Sequence, residues 1–471
     1  MKLPVKIDST SNGEFLPRPL SARSERANQH ARSSLDRAAR KLAMPRRAFL
    51  QSTAAVAANL LALNEANAAH DNNGGFYDVH QDAAFEPQLA EQQLGGDELI
   101  FDVQGHYVVP PSLARTLKPR CSEASEVLDR EYMRCIGADS FIKDIFLDSD
   151  TDIMVLSFIP SRRDDEPLTI AEAAATRELV ERLQGSQRLM IHGRVNPNQA
   201  GDVEAMAAMA SEYDVCAWKC YTQWGPDGRG FFLHEEDTGL RMIEQARALG
   251  IKTICIHKGI PFGRRSYEHS VCSDIGVVAK QYPDVNFLVY HSGYVPGVTE
   301  SVYDPTRGEG VDELIASVER NGLGVNSNVY AELGSTWRML MRDPSEAAHV
   351  LGKLLRHLGP NNVLYGSDCV WYGSPQDQIQ TLRRFQISQE FQDRYGYSAI
   401  SNEVRRKILG LNAARVYGVD VVERQQLLHD DELNRSRAEY LDMPAAHFET
   451  YGPRTRREFL KLWRQHGRQR T

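Results

Sequence analysis

The seven cysteines (Cys121, Cys135, Cys216, Cys220, Cys255, Cys272, Cys369) form no CxxC pair and no zinc-finger spacing. A cysteine-ligated metal module is therefore excluded, and a disulfide framework is not expected in a chain of 471 residues. Positive charge is not in excess either. Lys and Arg number 55 against 63 Asp and Glu, a formal net charge of -8, so the basic field that a phosphate backbone requires is missing and nucleic acid is not an expected partner. The apolar stretch Ala54 to Leu63 is far short of the ~20 residues that cross a bilayer, so no membrane span is expected. A glycine-rich phosphate loop is also missing after the first strand-like run, which reads FDVQGHYV from Phe101 to Val108.

Residues 1–69 read as a disordered extension followed by a signal. Residues 1–43 are polar and rich in Arg and Ser, and MPRRAFLQSTAAVAANLLALNEANAAH follows. Arg46 and Arg47, then Phe49 and Leu50, a mild Ala/Leu run and the small residues Ala66-Asn67-Ala68 make up a twin-arginine export signal. The expectation is a protein exported to the periplasm or secreted, with the twin-arginine machinery as a partner. Residues 70–97 are polar and read as a linker or arm.

From residue 98 short apolar runs alternate with amphipathic helix-length stretches, the mark of a parallel sheet with crossover helices. The runs are 98–103, 152–158, 188–194, 215–220, 252–257, 286–291, 328–333 and 363–368. Eight strand-helix units over residues 98–420 predict a (β/α)8 TIM barrel, an α/β fold. Residues 421–471 turn polar and Arg-rich, predicting a helical tail that packs on the barrel or on a second subunit of a homodimer.

The polar residues of these runs sit at their carboxyl ends: His106 after the first, Lys219 at the fourth, His257 at the fifth, His291 at the sixth, Glu332 near the end of the seventh and Asp368 at the eighth. In a barrel those ends share one face, so residues far apart in sequence converge on one cavity. Imidazoles and a carboxylate are a natural ligand set for one divalent ion, zinc or manganese.

The order D-x-Q-x-H, H, H-S-G and G-S-D at the ends of strands one, five, six and eight resembles the amidohydrolase superfamily. The closer similarity is to its amidohydrolase-related branch, which includes aminocarboxymuconate-semialdehyde decarboxylase-like hydrolases and decarboxylases; ILGLNAARVYGV is similar to that branch's last-helix motif. The resemblance implies His106, His257 and Asp368 as metal ligands, with Gln104 at the first ligand position. It implies His291 as an acid/base or substrate-polarising residue and Asp368 as the group that takes a proton from a metal-activated water. The implied activity is a metal-dependent hydrolase of a small organic, possibly aromatic, acid, ester or amide. The alternatives are a non-oxidative decarboxylase (a carboxy-lyase) of an aromatic or unsaturated acid and a catalytically inactive binding barrel. Substrate-binding candidates are Arg194 and His192 at the end of strand three, Lys219, and the aromatics Tyr221, Trp224 and Trp371; guanidinium geometry suits a carboxylate.

Overall fold

The computed structural model describes residues 2–108, 137–164, 166–184, 187–261, 267–429, 431–442, 444 and 448–466. The eight apolar runs become eight parallel strands in chain order: β2 (Phe101–Gly105), β3 (Ile153–Leu156), β4 (Leu189–Arg194), β5 (Ala217–Tyr221), β6 (Thr253–His257), β7 (Asn286–Tyr290), β8 (Val329–Glu332) and β9 (Val363–Leu364). Every neighbour pair is parallel. The barrel closes between its first and last strands. Val103 N donates to Tyr365 O at 3.2 Å and Asp368 N to Gln104 O at 2.8 Å, and Gly105 bridges Cys369 in parallel. Almost all strand residues are buried, as expected where helices cover the outside and side chains fill the inside.

Helices alternate with the strands, and their buried residues recur at three-to-four spacing. In Pro344–His357 the buried set includes Ala347, Ala348, Val350, Leu351, Leu354 and Leu355, and the Asp343 side chain caps the first turn by accepting from Glu346 N. The motif ILGLNAARVYGV forms the closing helical turns over residues 407–416. There Gly410 allows a close approach: a Cβ built on it would lie 2.1 Å from Leu99 O, a backbone atom leading into β2. Gly410→Ala is therefore expected to force the helix off the barrel and lower stability by ~1–3 kcal/mol, read as a lower urea midpoint at unchanged m-value.

The amino-terminal expectation needs correcting. Residues 2–69 are folded onto the barrel, where a disordered extension was expected. Helix α1 (Ala22–Lys41) has its side-chain cap at Ser21 and buries Ala27, Ala31, Leu35 and Ala38 in one stripe. It packs on α3 (Thr53–Ala68). The twin-arginine pair opens the short helix α2 (Arg46–Leu50), and the Ala/Leu run is buried on nearly all sides of α3. The physical reason is degeneracy: an alanine-leucine stretch suits a signal and an interior helix equally. The expected linker at 70–97 also carries structure. Strand β1 (Gly75–Tyr77) pairs antiparallel with β10 (Phe385–Ile387), and α4 (Pro87–Leu94) follows.

The tail is helical at Val421–His429, Glu432–Asp442 and Arg456–His466. Among the described residues Cys216, Cys220, Cys255, Cys272 and Cys369 are free thiols, and no helix is long and apolar enough to cross a membrane.

Candidate metal centre

The motif D-x-Q-x-H works first as a closure device. Asp102 is buried, and its Oδ1 accepts from Gln104 N at 3.0 Å and from Ser367 N at 2.9 Å. It thereby ties the end of β2 to the loop after β9. Burial pushes its carboxyl up to about 7 against those hydrogen bonds. His106 follows β2, His257 ends β6, His291 follows β7, and Asp368 lies beyond β9. Several rim residues have left-handed backbones: His291 (φ 65°), Ser292 (φ 53°), Ser335 (φ 54°) and Asp368 (φ 56°). Non-glycine residues rarely hold this conformation without cause, and it concentrates where side chains must be aimed.

Each imidazole has one nitrogen facing a backbone carbonyl, which can only accept. His106 Nδ1 faces Ser157 O at 3.1 Å, His291 Nδ1 faces Gly334 O at 2.7 Å, and His257 Nε2 faces Ile260 O at a longer 3.4 Å. The protons of the neutral rings belong on those nitrogens, so the lone pairs sit on His106 Nε2, His291 Nε2 and His257 Nδ1. The latter two meet at 3.1 Å. Two facing lone pairs repel unless they share a cation, and two nitrogens at about 2.0–2.1 Å from tetrahedral zinc stand roughly 3.3 Å apart. The other remedies are a neutral tautomer with the proton on His257 Nδ1, which gives up the long contact to Ile260 O, and added protonation, which is disfavoured. Burial lowers His257 well below its usual value, with His291 and Lys219 adding to the effect, and burial takes His291 down to about 4. The residues present therefore fit a divalent ion, and the carbonyl partners are the usual means by which ligating histidines are oriented.

Asp368 stands opposite. Its Oδ1 lies 3.3 Å from His106 Nε2, and its Oδ2 accepts from Ser335 Oγ and, at 2.9 Å, from Asn12 Nδ2. Burial would raise this carboxyl, but the polar groups around it, His106 first and the Ser335 hydroxyl after it, hold it below its usual value. The expected donors form two groups: His106 with Asp368, and His257 with His291. Glu14, His257 and His291 each offer one ligand atom, all within 4.8 Å of one another.

Gln104 occupies the first ligand position as a donor. Its Nε2 bonds Asp368 Oδ1 at 3.0 Å and faces His106 Nε2 at 3.2 Å, while its Oε1 is buried without a partner. Rotating the amide by half a turn would bring the oxygen to the side of His106 and Asp368, where only a cation would satisfy it.

The expected substrate residues divide. Tyr221 stacks on His257, with ring centres 4.7 Å apart, and Trp371 lies 5.3 Å from His106. Lys219 is fully buried, its Nζ 3.6 Å from the centre of the Tyr290 ring and without a hydrogen-bond partner. Burial draws it down to about 8. It lies inside β5, because that strand runs on to Tyr221. His192 bonds Ser157 Oγ at 3.1 Å and Tyr417 OH at 3.2 Å, away from the converging lone pairs. Arg194 is occupied by Glu166 and by Ser161 O at 2.9 Å, with Asp202 at 3.5 Å. Trp224 is buried, its indole N–H unpartnered.

Sequence reasoning missed Asn12, Glu14 and Ser335. Asn12 and Glu14 lie in a stretch whose composition carries no site signal. Ser335 Oγ also meets Tyr372 OH at 2.6 Å, and its only sequence cue is its place just beyond β8.

A family profile described as "Amidohydrolase" matches residues 158–419, more than half of the chain. A search of curated proteins found no match. Among solved structures, 2,6-dihydroxybenzoate decarboxylase from Rhizobium is similar at 14% identity (68% of this chain, 99% of that one, TM-score 0.40). A putative 2-pyrone-4,6-dicarboxylic acid hydrolase from Pseudomonas putida is similar at 16% (69% and 98%, TM-score 0.39). 4-Oxalomesaconate hydratase from Rhodopseudomonas palustris is similar at 17% (68% and 96%, TM-score 0.41). These likenesses are too distant to speak for the reaction.

Proposed function

The chain belongs to the amidohydrolase family, and from that premise we propose that it is a metal-dependent hydrolase of a small organic acid, ester or amide. The observation that carries the reading is the buried imidazole pair whose converging nitrogens, His257 Nδ1 and His291 Nε2, stand 3.1 Å apart, with the Asp368 carboxylate on the same rim. His106, His257, His291 and Asp368 would hold one divalent ion, most simply zinc. When bound, the ion lowers the pKa of water and polarises a substrate oxygen.

Asp368 then acts as the base. Its carboxyl is held below its ordinary value, so it is ionised at neutral pH and can take a proton on Oδ1 or Oδ2. Ser335 and Tyr372 form a hydroxyl relay behind Oδ2 and fix its direction. His291 contributes to the ligand set rather than acting from outside it, because its Nδ1 is committed to Gly334 O. Tyr221 and Trp371 flank the imidazoles and form an apolar wall suited to an aromatic or bulky substrate.

The test is metal analysis of protein purified without chelator, followed by an activity panel of esters, amides and hydroxybenzoates. About one ion per chain is expected. Dialysis against a chelator should abolish hydrolysis, and zinc or manganese should restore it. Carbon dioxide release from the hydroxybenzoates without ester or amide cleavage would replace hydrolysis by decarboxylation. A metal-free protein that gains nothing from either ion would leave a binding barrel.

A further inference from the structure

The turn Ser11–Phe15 reaches the reacting atoms from the amino-terminal segment. Asn12 Nδ2 donates both to Asp368 Oδ2 at 2.9 Å and to Glu14 Oε2 at 2.7 Å. The other Glu14 oxygen stands 4.0 Å from His257 Nδ1. Ser11 and Asn12 are buried, and Glu14 is 8% exposed. We propose that this turn is an internal occupant of the site: Glu14 holds the place of the carboxylate of a small organic acid substrate, and binding of that acid displaces the turn. The inference rests on the hydrolase reading above and narrows its substrate class to carboxylates.

Three features support displacement over permanent ligation. First, Asn12 Nδ2 occupies Asp368 Oδ2, one of the two oxygens able to take the proton, so the base is freer with the turn displaced. Second, the tip is braced largely within itself, and Ser11 N marks its anchored base by donating to Pro453 O at 2.9 Å. Ser11 Oγ accepts from Gly13 N at 3.0 Å and donates to Phe15 O at 2.5 Å, and Asn12 Oδ1 accepts from Glu14 N at 3.0 Å. Gly13 supplies the left-handed residue at φ 88°. Third, the flanks are tethered outside the site. Lys6 pairs with Asp377 at 3.0 Å and Asp8 with Arg338 at 2.7 Å on one side, and Arg18 reaches Tyr294 OH at 3.5 Å on the other. A displaced tip therefore stays on the molecule and can return. Glu14 Oε1 stands 4.0 Å from His257 Nδ1, within reach of the imidazole pair, and the metal content of Glu14→Gln tells a stand-in from a ligand.

The test uses the full chain with its native metal, and benzoate as the probe with benzamide as its neutral counterpart. Hydrogen exchange at Gly13 and Glu14 should quicken about tenfold when benzoate is bound and not with benzamide. Glu14→Gln, an isosteric change, should bind benzoate about tenfold more tightly by calorimetry, because the competing occupant is weakened and the competent fraction rises. Its metal content should equal that of the parent. Unchanged exchange in the benzoate complex, equal affinity in the variant, or no benzoate binding to either protein would overturn the proposal. Metal loss in Glu14→Gln would overturn it too, by making Glu14 a ligand. Metal content of the parent chain judges the hydrolase reading separately, since the exchange comparison reads the same way with or without the ion.

Discussion

Asp368→Ala is expected to yield folded protein that retains less than about a tenth of an ion per chain, with hydrolysis lost in parallel. The carboxylate is buried, held ionised and placed 3.3 Å from His106 Nε2, so its removal takes away both the negative charge that balances a divalent ion and the proton acceptor. His257→Ala and His291→Ala should lose the ion to the same degree, because each deletes one of the two facing lone pairs. Gln104→Ala should behave differently. As a donor to His106 and Asp368 it orients ligands, so metal affinity should fall roughly 10–100-fold while stoichiometry is restored at high zinc. Mass spectrometry of metal content across the four variants checks this order. Full metal in Asp368→Ala would show that the ion is held elsewhere; loss from Gln104→Ala that excess zinc cannot repair would make the amide a full ligand.

The second large effect concerns stability. Lys353, in the helix Pro344–His357, donates to Asp312 Oδ1 at 2.5 Å, to Glu300 and to Ser301 O at 3.3 Å, and all three charged side chains are fully buried. Lys353→Ala is expected to cost ~3–5 kcal/mol, because it strands two carboxylates in the interior. The remaining cation, Arg307, is partly exposed and lies 3.3 Å from Asp312 and 3.7 Å from Glu300, too peripheral to replace it. Urea unfolding measures the loss. The triple change Lys353→Met, Glu300→Gln, Asp312→Asn should recover much of it, since no bare charge is then buried. A loss below ~1 kcal/mol in Lys353→Ala would mean that water reaches the carboxylates.

Most of the barrel was legible along the chain, because each strand is a local pattern: an apolar run bounded by turn residues, followed by an amphipathic stretch. That His106, His257, His291 and Asp368 lie at the carboxyl ends of their strands was legible as well, since parallel strands of a barrel place all those ends on one face. Tertiary structure decided what depends on atoms that carry no letter in the sequence. The carbonyls of Ser157, Ile260 and Gly334 each engage one ring nitrogen, and the Gly334 carbonyl on Nδ1 made His291 Nε2 a candidate ligand. The neighbours of Gln104 made its amide a donor, and Glu166 and Tyr417 engaged Arg194 and His192.

The amino-terminal segment shows the division most clearly. Its composition reads as an extension and a signal, yet α1 packs on the buried helix α3 and the turn at Asn12 meets Asp368 across 356 positions of chain. Periodicity reports which face of an element is apolar; it says nothing about which distant surface will cover that face. The chain alone determined the barrel and the rim of polar residues, and only the packed structure decided that the amino-terminal turn rests on that rim, because this contact depends on long-range placement rather than local pattern.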